Sequence, residues 1–243
     1  WSSRPKTKRL RIFKYCQLKN VDFVFLQETH CCSVVEAREW EREWSGKAFW
    51  SFGSSHSCGV GILVSKHFSG NIQSFYFDHV GRLVYLNFSL HNYQYRLLNV
   101  YCPNESSDRR DFLTNLETHL QGNFSIILGG DFNFVENTSL DKIGGNKNSG
   151  TIGKIEINHL CSTFNLVDTF RSENPLKVEV TWSKDDKSVS CRLDRFYLTK
   201  SILASSKIEN VSFSDHRPVS LIINHANNSN NNGPSYWKCN VSI

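Results

Sequence analysis

The sequence predicts an α+β fold, a two-sheet β-sandwich flanked by helices. Three observations carry this expectation. Strand-like apolar runs outnumber helical ones, the helices fall between them without the strict alternation of a doubly wound parallel sheet, and polar side chains recur where apolar runs end. At 243 residues the chain can bury one sizeable core, and its length calls for no second domain.

Composition narrows the class. A net charge of +5 and a pI near 8.7 allow a polyanionic partner without requiring one. No apolar run approaches the roughly 18 residues of a membrane span, and the basic start from Trp1 to Arg11 has no apolar signal core, so an intracellular protein with no membrane partner is expected. The eight cysteines are scattered without CxxC spacing and read as free thiols. His30, Cys31 and Cys32 are too closely adjacent to wrap one tetrahedral zinc. Asn-x-Ser/Thr triplets at Asn87, Asn123 and Asn210 are taken as chance matches. The chain starts on Trp1 and contains no methionine, which suggests an excerpt from a longer reading frame.

The elements follow in order. Residues 6–19 place Leu10, Ile12, Phe13 and Cys16 on one face among basic residues, an amphipathic helix that could meet DNA phosphates or simply be a solvated face. Val21 to Leu26 is a buried strand ending in Gln27, Glu28 and Thr29. Residues 33–44 space Ala37, Trp40 and Trp44 as a helix, and Ser51 to Val64 reads as strand, loop, strand. Residues 82–102 form the clearest hairpin: Val84, Leu86, Phe88 and Leu90 alternate, His91 and Asn92 turn, and Leu98 and Val100 alternate back, leaving Asn99 and Tyr101 on the other face. Phe112, Leu113, Leu116 and Leu120 line a helix that leads into a central strand, Ile126 to Leu128. Asn137 to Gly150 is a polar, glycine-rich loop, and a helix runs from about Ile152 to Phe164. Strands return at Val178 to Trp182, Cys191 to Leu198 and Pro218 to Ile223. The Asn/Ser tract from His225 to Pro234 cannot bury a core, so the domain is expected to span 1–224 with 225–243 as a polar linker.

The chemistry collects at strand ends. After the central strand, Gly129 and Gly130 let the backbone turn, and Asp131 and Asn133, two apart on extended chain, are expected to point the same way while Phe132 enters the core. Glu28, Tyr101, and Asp215 with His216 stand at three further strand ends, and Asp194 between Arg192 and Arg195 is a fifth candidate. One such carboxylate is a solvated charge; five clusters suggest a shared rim. From the residues alone Tyr101 could close a strand edge, Asp194 could pair with Arg192 or Arg195, and Thr181 could be ordinary strand surface.

LQET at 26–29, NVYCPN at 99–104, ILGGDFN at 127–133, CRLDRFYLT at 191–199 and SDHRPV at 214–219 resemble, in order and spacing, the motifs of the endonuclease/exonuclease/phosphatase superfamily. Within it the chain is most similar to the apurinic-like endonuclease domain of non-LTR (LINE-type) retrotransposons, and GPSYWKCN at 233–240 resembles the segment that closes that domain. The resemblance implies a four-layer α/β/β/α sandwich and a Mg²⁺-dependent endonuclease, with Mn²⁺ able to substitute. Such an enzyme nicks one strand of double-stranded DNA and leaves a 3′-hydroxyl that primes reverse transcription by a covalently linked reverse transcriptase. An isolated domain is expected to be monomeric and to act in the nucleus.

By the same resemblance Glu28 holds the metal with Asp215 nearby through water, and Asp131 orients and deprotonates the attacking water with help from Asn133. His216 contacts the scissile phosphate, Asp194 holds the other ring nitrogen of His216, and Tyr101 hydrogen-bonds the phosphate. Thr181, Ser214, Arg192 and Arg195 would support the phosphate and rim. Target choice would depend on loops including Ser201 to Ser212 and Asn137 to Gly150. Two alternatives remain: a lipid or inositol phosphodiesterase on the same fold, and a catalytically dead remnant that binds nucleic acid. Members of the family open with a strand carrying an Asn beside the metal-binding Glu. No residue here matches it, so that strand is expected to be missing and the neighbouring strand to be left with unpaired backbone.

Overall fold

The computed structural model describes residues 3–146, 149–212, 214–224 and 236–241. In chain order the elements are α1 (Ser3–Leu18), β1 (Phe23–Leu26), α2 (Val34–Trp44), β2 (Lys47–Ser51), β3 (Val60–Val64), β4 (Asn71–Phe77), β5 (Leu83–Leu90), β6 (Tyr93–Tyr101), α3 (Ser106–Leu120) and β7 (Ser125–Asp131). They continue with β8 (Lys142–Gly144), α4 (Lys154–Thr163), β9 (Leu166–Asp168), α5 (Thr169–Glu173), β10 (Trp182–Ser183), β11 (Val189–Cys191), β12 (Asp194–Thr199), β13 (Leu203–Ile208), β14 (Val219–Asn224) and β15 (Tyr236–Val241).

Two six-stranded sheets form the sandwich, ordered β13-β14-β15-β1-β3-β2 and β4-β5-β6-β7-β12-β9, with β10-β11-β8 as a small third sheet. Side-chain alternation explains the layering. In β1, Phe23 and Phe25 face the second sheet, packing with Leu86, Phe88, Ile127 and Phe196. Val24 and Leu26 face outward onto Ile12 and Phe13 of α1 and Trp40 and Trp44 of α2. In β7, Ile127 faces the inter-sheet layer, while Ile126 and Leu128 pack under Leu113 and Leu116 of α3 and Leu160 of α4. A strand buried on both faces must read as a continuous apolar run, which is why both sequences do. Each fully buried Phe, Leu or Ile contributes roughly 1.5–3 kcal/mol, so this inter-sheet layer outweighs any single turn. The order is α/β/β/α, as expected.

The hairpin between β5 and β6 turns on His91 and Asn92, whose φ angles of 48° and 68° are the left-handed pair a two-residue turn of matching twist requires. Gly130 is needed where it stands. Its φ is +146°, and a Cβ there would lie 1.9 Å from the Val100 carbonyl oxygen, so only glycine lets β7 run beside β6 up to Asp131.

Three expectations are corrected. The domain does not end near Asn224: β15 pairs antiparallel with β14 and parallel with β1. The strand β1 therefore has a partner on each side, β3 and β15, and does not show the unpaired backbone that a missing first strand would leave. Of the expected linker 225–243, residues 225–235 and 242–243 lie outside the described residues, as do 147 and 148 of the glycine-rich loop. Ser201 to Ser212 is not a loop but contains the edge strand β13, and the glycine-rich stretch carries β8. Among the described residues no helix is long and apolar enough to cross a membrane.

Candidate active site

The site grows from a polar clasp between the two sheets. Asn99, buried in β6, donates from Nδ2 to the carbonyls of Leu26 (3.0 Å) and Gly61 (2.8 Å), and its Oδ1 accepts from Gln27 Nε2. Each of these groups would be costly to bury alone; together they satisfy one another and pin the end of β1 to β6. Beyond that clasp the chain turns sharply through Glu28 (φ 49°) and His30 (φ 54°), held by Thr29 N–H on the Gly59 carbonyl and His30 N–H on the Cys58 carbonyl. Non-glycine residues in the left-handed region carry strain that the surrounding hydrogen bonds must offset. The turn presents the Glu28 carboxylate, which accepts a short hydrogen bond from the Tyr101 hydroxyl. Burial, that hydrogen bond and the nearby Glu28 and Asp131 charges hold the Tyr101 phenol well above its ordinary pKa, so it stays a donor.

On the facing sheet, β7 and β12 place Asp131 opposite Asp194 in register. His216, from the segment before β14, gives Nδ1 to Asp194 at 3.0 and 3.2 Å from the two carboxylate oxygens. Donor atoms of Asp131, Asp194 and His216 all lie within 4.8 Å of one another. Burial raises the Asp131 carboxyl and the Asp194 charge raises it further, to about 7, against the opposing pull of His216. Burial alone would lower His216, but the charge and hydrogen bond of Asp194, with Asp131 and Asp215 adding, lift it to about 10. Near neutrality the cluster thus holds an imidazolium beside a carboxyl poised to give up or take a proton.

The supporting residues divide. Thr181 is fully buried: its Oγ1 accepts from the backbone N–H of Leu193 (2.9 Å) and Asp194 (3.1 Å), and its carbonyl accepts from Arg217 N–H, so it holds the backbone under Asp194. Ser214 Oγ accepts from His216 N–H at 3.2 Å. Asn133 (φ 53°) does not point with Asp131; its Nδ2 donates to the Cys102 carbonyl at 2.7 Å, while its backbone N–H donates to Asp131 Oδ1 at 2.9 Å.

Arg192 and Arg195 must be corrected as phosphate contacts, because both are 1 % exposed and turned inward. Arg192 is clamped by Asp141 at 2.7 Å and Asp168 at 2.7 Å, and Arg195 donates to the carbonyls of Phe134 and Arg192. They fix the base of β12 from behind.

Glu28, Asp131, Ser214, Asp215 and His216 share one cavity of about 180 Å³, together with Gln27, His30 and Lys8. The sequence does not single out Lys8, Gln27 or Asn99 as site residues, although Gln27 lies in the LQET motif, Asn99 in NVYCPN and Lys8 in the basic helix 6–19. The exposed carboxylates of Glu28 and Asp215, both lining the cavity, offer only oxygen donors, which suits a hard divalent cation such as Mg²⁺ that retains water. His216 is committed to Asp194 through Nδ1, which suits proton handling better than ligation of a hard ion.

The profile of the Endonuclease/Exonuclease/phosphatase family matches residues 1–216. A curated relative, the Transposon TX1 uncharacterized 149 kDa protein of Xenopus laevis, is 31% identical over 253 residues; the match covers 99% of this chain but only 18% of that protein's length. Among solved structures, an AP endonuclease from Archaeoglobus fulgidus superposes with a TM-score of 0.70 at 16% identity, covering 88% of this chain and 93% of that one. A 3′-5′ exonuclease from Neisseria meningitidis superposes at 0.64 with 17% identity, covering 86% and 93%. At such identities the structural likeness speaks for the fold alone.

Proposed function

The chain belongs to the endonuclease/exonuclease/phosphatase family, and from that membership we propose that it is a Mg²⁺-dependent endonuclease that nicks one strand of double-stranded DNA. Water attacks a phosphodiester in line, and the 3′-hydroxyl left behind primes reverse transcription by a linked reverse transcriptase in the nucleus. The observation that carries the reading is the meeting of Asp131, His216 and Glu28 in one small polar cavity, with Asp194 within reach of both Asp131 and His216. The relative carrying transposon in its name, of which this chain matches 18%, supports a domain within a longer retrotransposon protein.

Glu28 and Asp215 would hold the ion, which when bound neutralises charge on a phosphoryl oxygen. Asp131 takes the proton of the attacking water at its carboxylate, for which a pKa raised to about 7 is well matched. His216, kept cationic and oriented by Asp194, offers its remaining ring nitrogen, Nε2, to the phosphate as negative charge builds. Tyr101 holds Glu28 in place, and Thr181 and Ser214 hold the backbone that carries Asp194 and His216. Asn133 acts on Asp131 through its backbone N–H.

Incubation with supercoiled plasmid tests the proposal. Open circles should form with Mg²⁺ or Mn²⁺ and not with EDTA, and a DNA polymerase should extend the nicks directly. Plasmid that is bound but never opened would overturn the enzymatic reading in favour of a binding remnant.

A further inference from the structure

The cavity that holds the reacting groups is strongly acidic, with Glu28, Asp131 and Asp215 on its wall and Asp194 behind it. A DNA strand approaching it brings further negative charge, so cations on the wall matter. Among the described residues that line it there is a single lysine or arginine, Lys8 of α1. The two arginines nearest in sequence to Asp194, Arg192 and Arg195, are buried and turned away.

Lys8 differs from its neighbours on the helix. Lys6 pairs with Glu39 at 3.2 Å and Arg9 pairs with Glu43 at 2.7 Å, so both are neutralised against α2. Lys8 is exposed and has no ion-pair partner among the described residues. It also lines a second cavity of about 350 Å³ between α1 and α2, which shares Lys8, Glu28 and His30 with the first. Lys8 therefore stands on the wall common to the two. Arg11 and Lys14 line neither cavity.

Resting on the nuclease reading above, we propose that Lys8 binds the phosphate next to the scissile one, so that the nicked strand leaves the catalytic cavity over α1. His216 meets the scissile phosphate in this reading, and Lys8, which lines the same cavity and also the one beside it, meets the strand one phosphate on. A long flexible ammonium grips a phosphate as a point charge in ground state and transition state alike, which is uniform binding: it sets KM and leaves kcat untouched.

The test compares wild type, Lys8→Ala and Lys8→Arg on one duplex, by equilibrium binding across a salt series and by steady-state nicking with Mg²⁺. Lys8→Ala should weaken binding and raise KM on the order of fivefold, as for one exposed ion pair. Its kcat should be unchanged, and the slope of log K against log salt should fall by about 1. Lys8→Arg should restore most of the loss. A neutral methylphosphonate at one flanking phosphate should cost the wild type and cost Lys8→Ala nothing further. Unchanged KM and salt slope in Lys8→Ala, or a fall in kcat at constant KM, would overturn the assignment. If the wild type binds but does not nick, the nuclease reading fails, while the salt series and the methylphosphonate still decide where Lys8 makes contact.

Discussion

Asp194 acts on two groups at once. Burial raises the Asp131 carboxyl and the Asp194 charge adds to it, to about 7, while the same charge lifts the His216 imidazole, against the effect of burial, to about 10. If Asp131 must be ionised and His216 protonated, nicking should rise with pH through about 7 and fall again near 10. Asp194→Asn removes the charge that raises both, so both limbs should move to lower pH and the rate should drop; a pH–rate profile checks the direction, and fixed limbs would mean Asp194 does not couple to the pair. Thr181→Val should cost less, since it removes only an acceptor for two backbone N–H groups. Behind the site, Asp141 is fully buried between Arg192 and Arg171. Burial alone would raise its pKa, but the two guanidiniums hold it below the usual carboxylate range. Its stabilising effect is therefore full above its unfolded value, roughly pH 4, and is lost as pH falls through the lower folded value. Asp141→Asn should destabilise by about 3–5 kcal/mol in denaturant titrations, because it strands buried arginine charge. At this scale Glu28, Asp131 and His216 were legible, since each sits in a distinctive motif at a strand end. Arg192 and Arg195 were misread because a charge beside Asp194 in sequence can turn either way: for Arg192 the Asp141 and Asp168 carboxylates, 51 and 24 positions earlier, decide it, and for Arg195 the Phe134 and Arg192 carbonyls and Glu136 do.

Among the elements, β1 and β7 were legible because burial on both faces writes itself as an unbroken apolar run, and the β5–β6 hairpin because alternation brackets two turn residues. The edge strand β4 was not: most of its residues are exposed, so no amphipathic period marks it. Nor was β15, which follows an Asn/Ser tract and contributes by main-chain pairing from the middle of its sheet. Removing residues 225–243 should take one hydrogen-bonding partner from β1 and one from β14. Thermal melting should fall, at roughly 2–4 °C per kcal/mol lost for a chain of this size, and amides of β1 should exchange faster. An unaltered melting temperature and unaltered exchange would show that β15 contributes nothing to the sheet. Because Glu28 stands in the turn two residues after the end of β1, the same truncation should also weaken Mg²⁺-dependent nicking.

For the whole molecule, two sheets pack face to face, and at the rim where β1, β6 and β7 end and β12 begins the sandwich brings residues more than a hundred positions apart into one 180 Å³ cavity. The fold does not choose the target. It is shared with proteins described as AP endonuclease and as 3′-5′ exonuclease, so sequence preference must lie in the surface around the rim, including the exposed strand β13 and the stretch around β8. The central claim is that Asp131 performs chemistry in the cavity instead of merely filling it. Single-turnover nicking of supercoiled plasmid by wild type and Asp131→Asn, with DNA affinity measured on the same preparations, tests it most directly. The account predicts a fall in rate of about 10²–10⁴-fold at nearly constant affinity; a variant that nicks at close to the wild-type rate would contradict it.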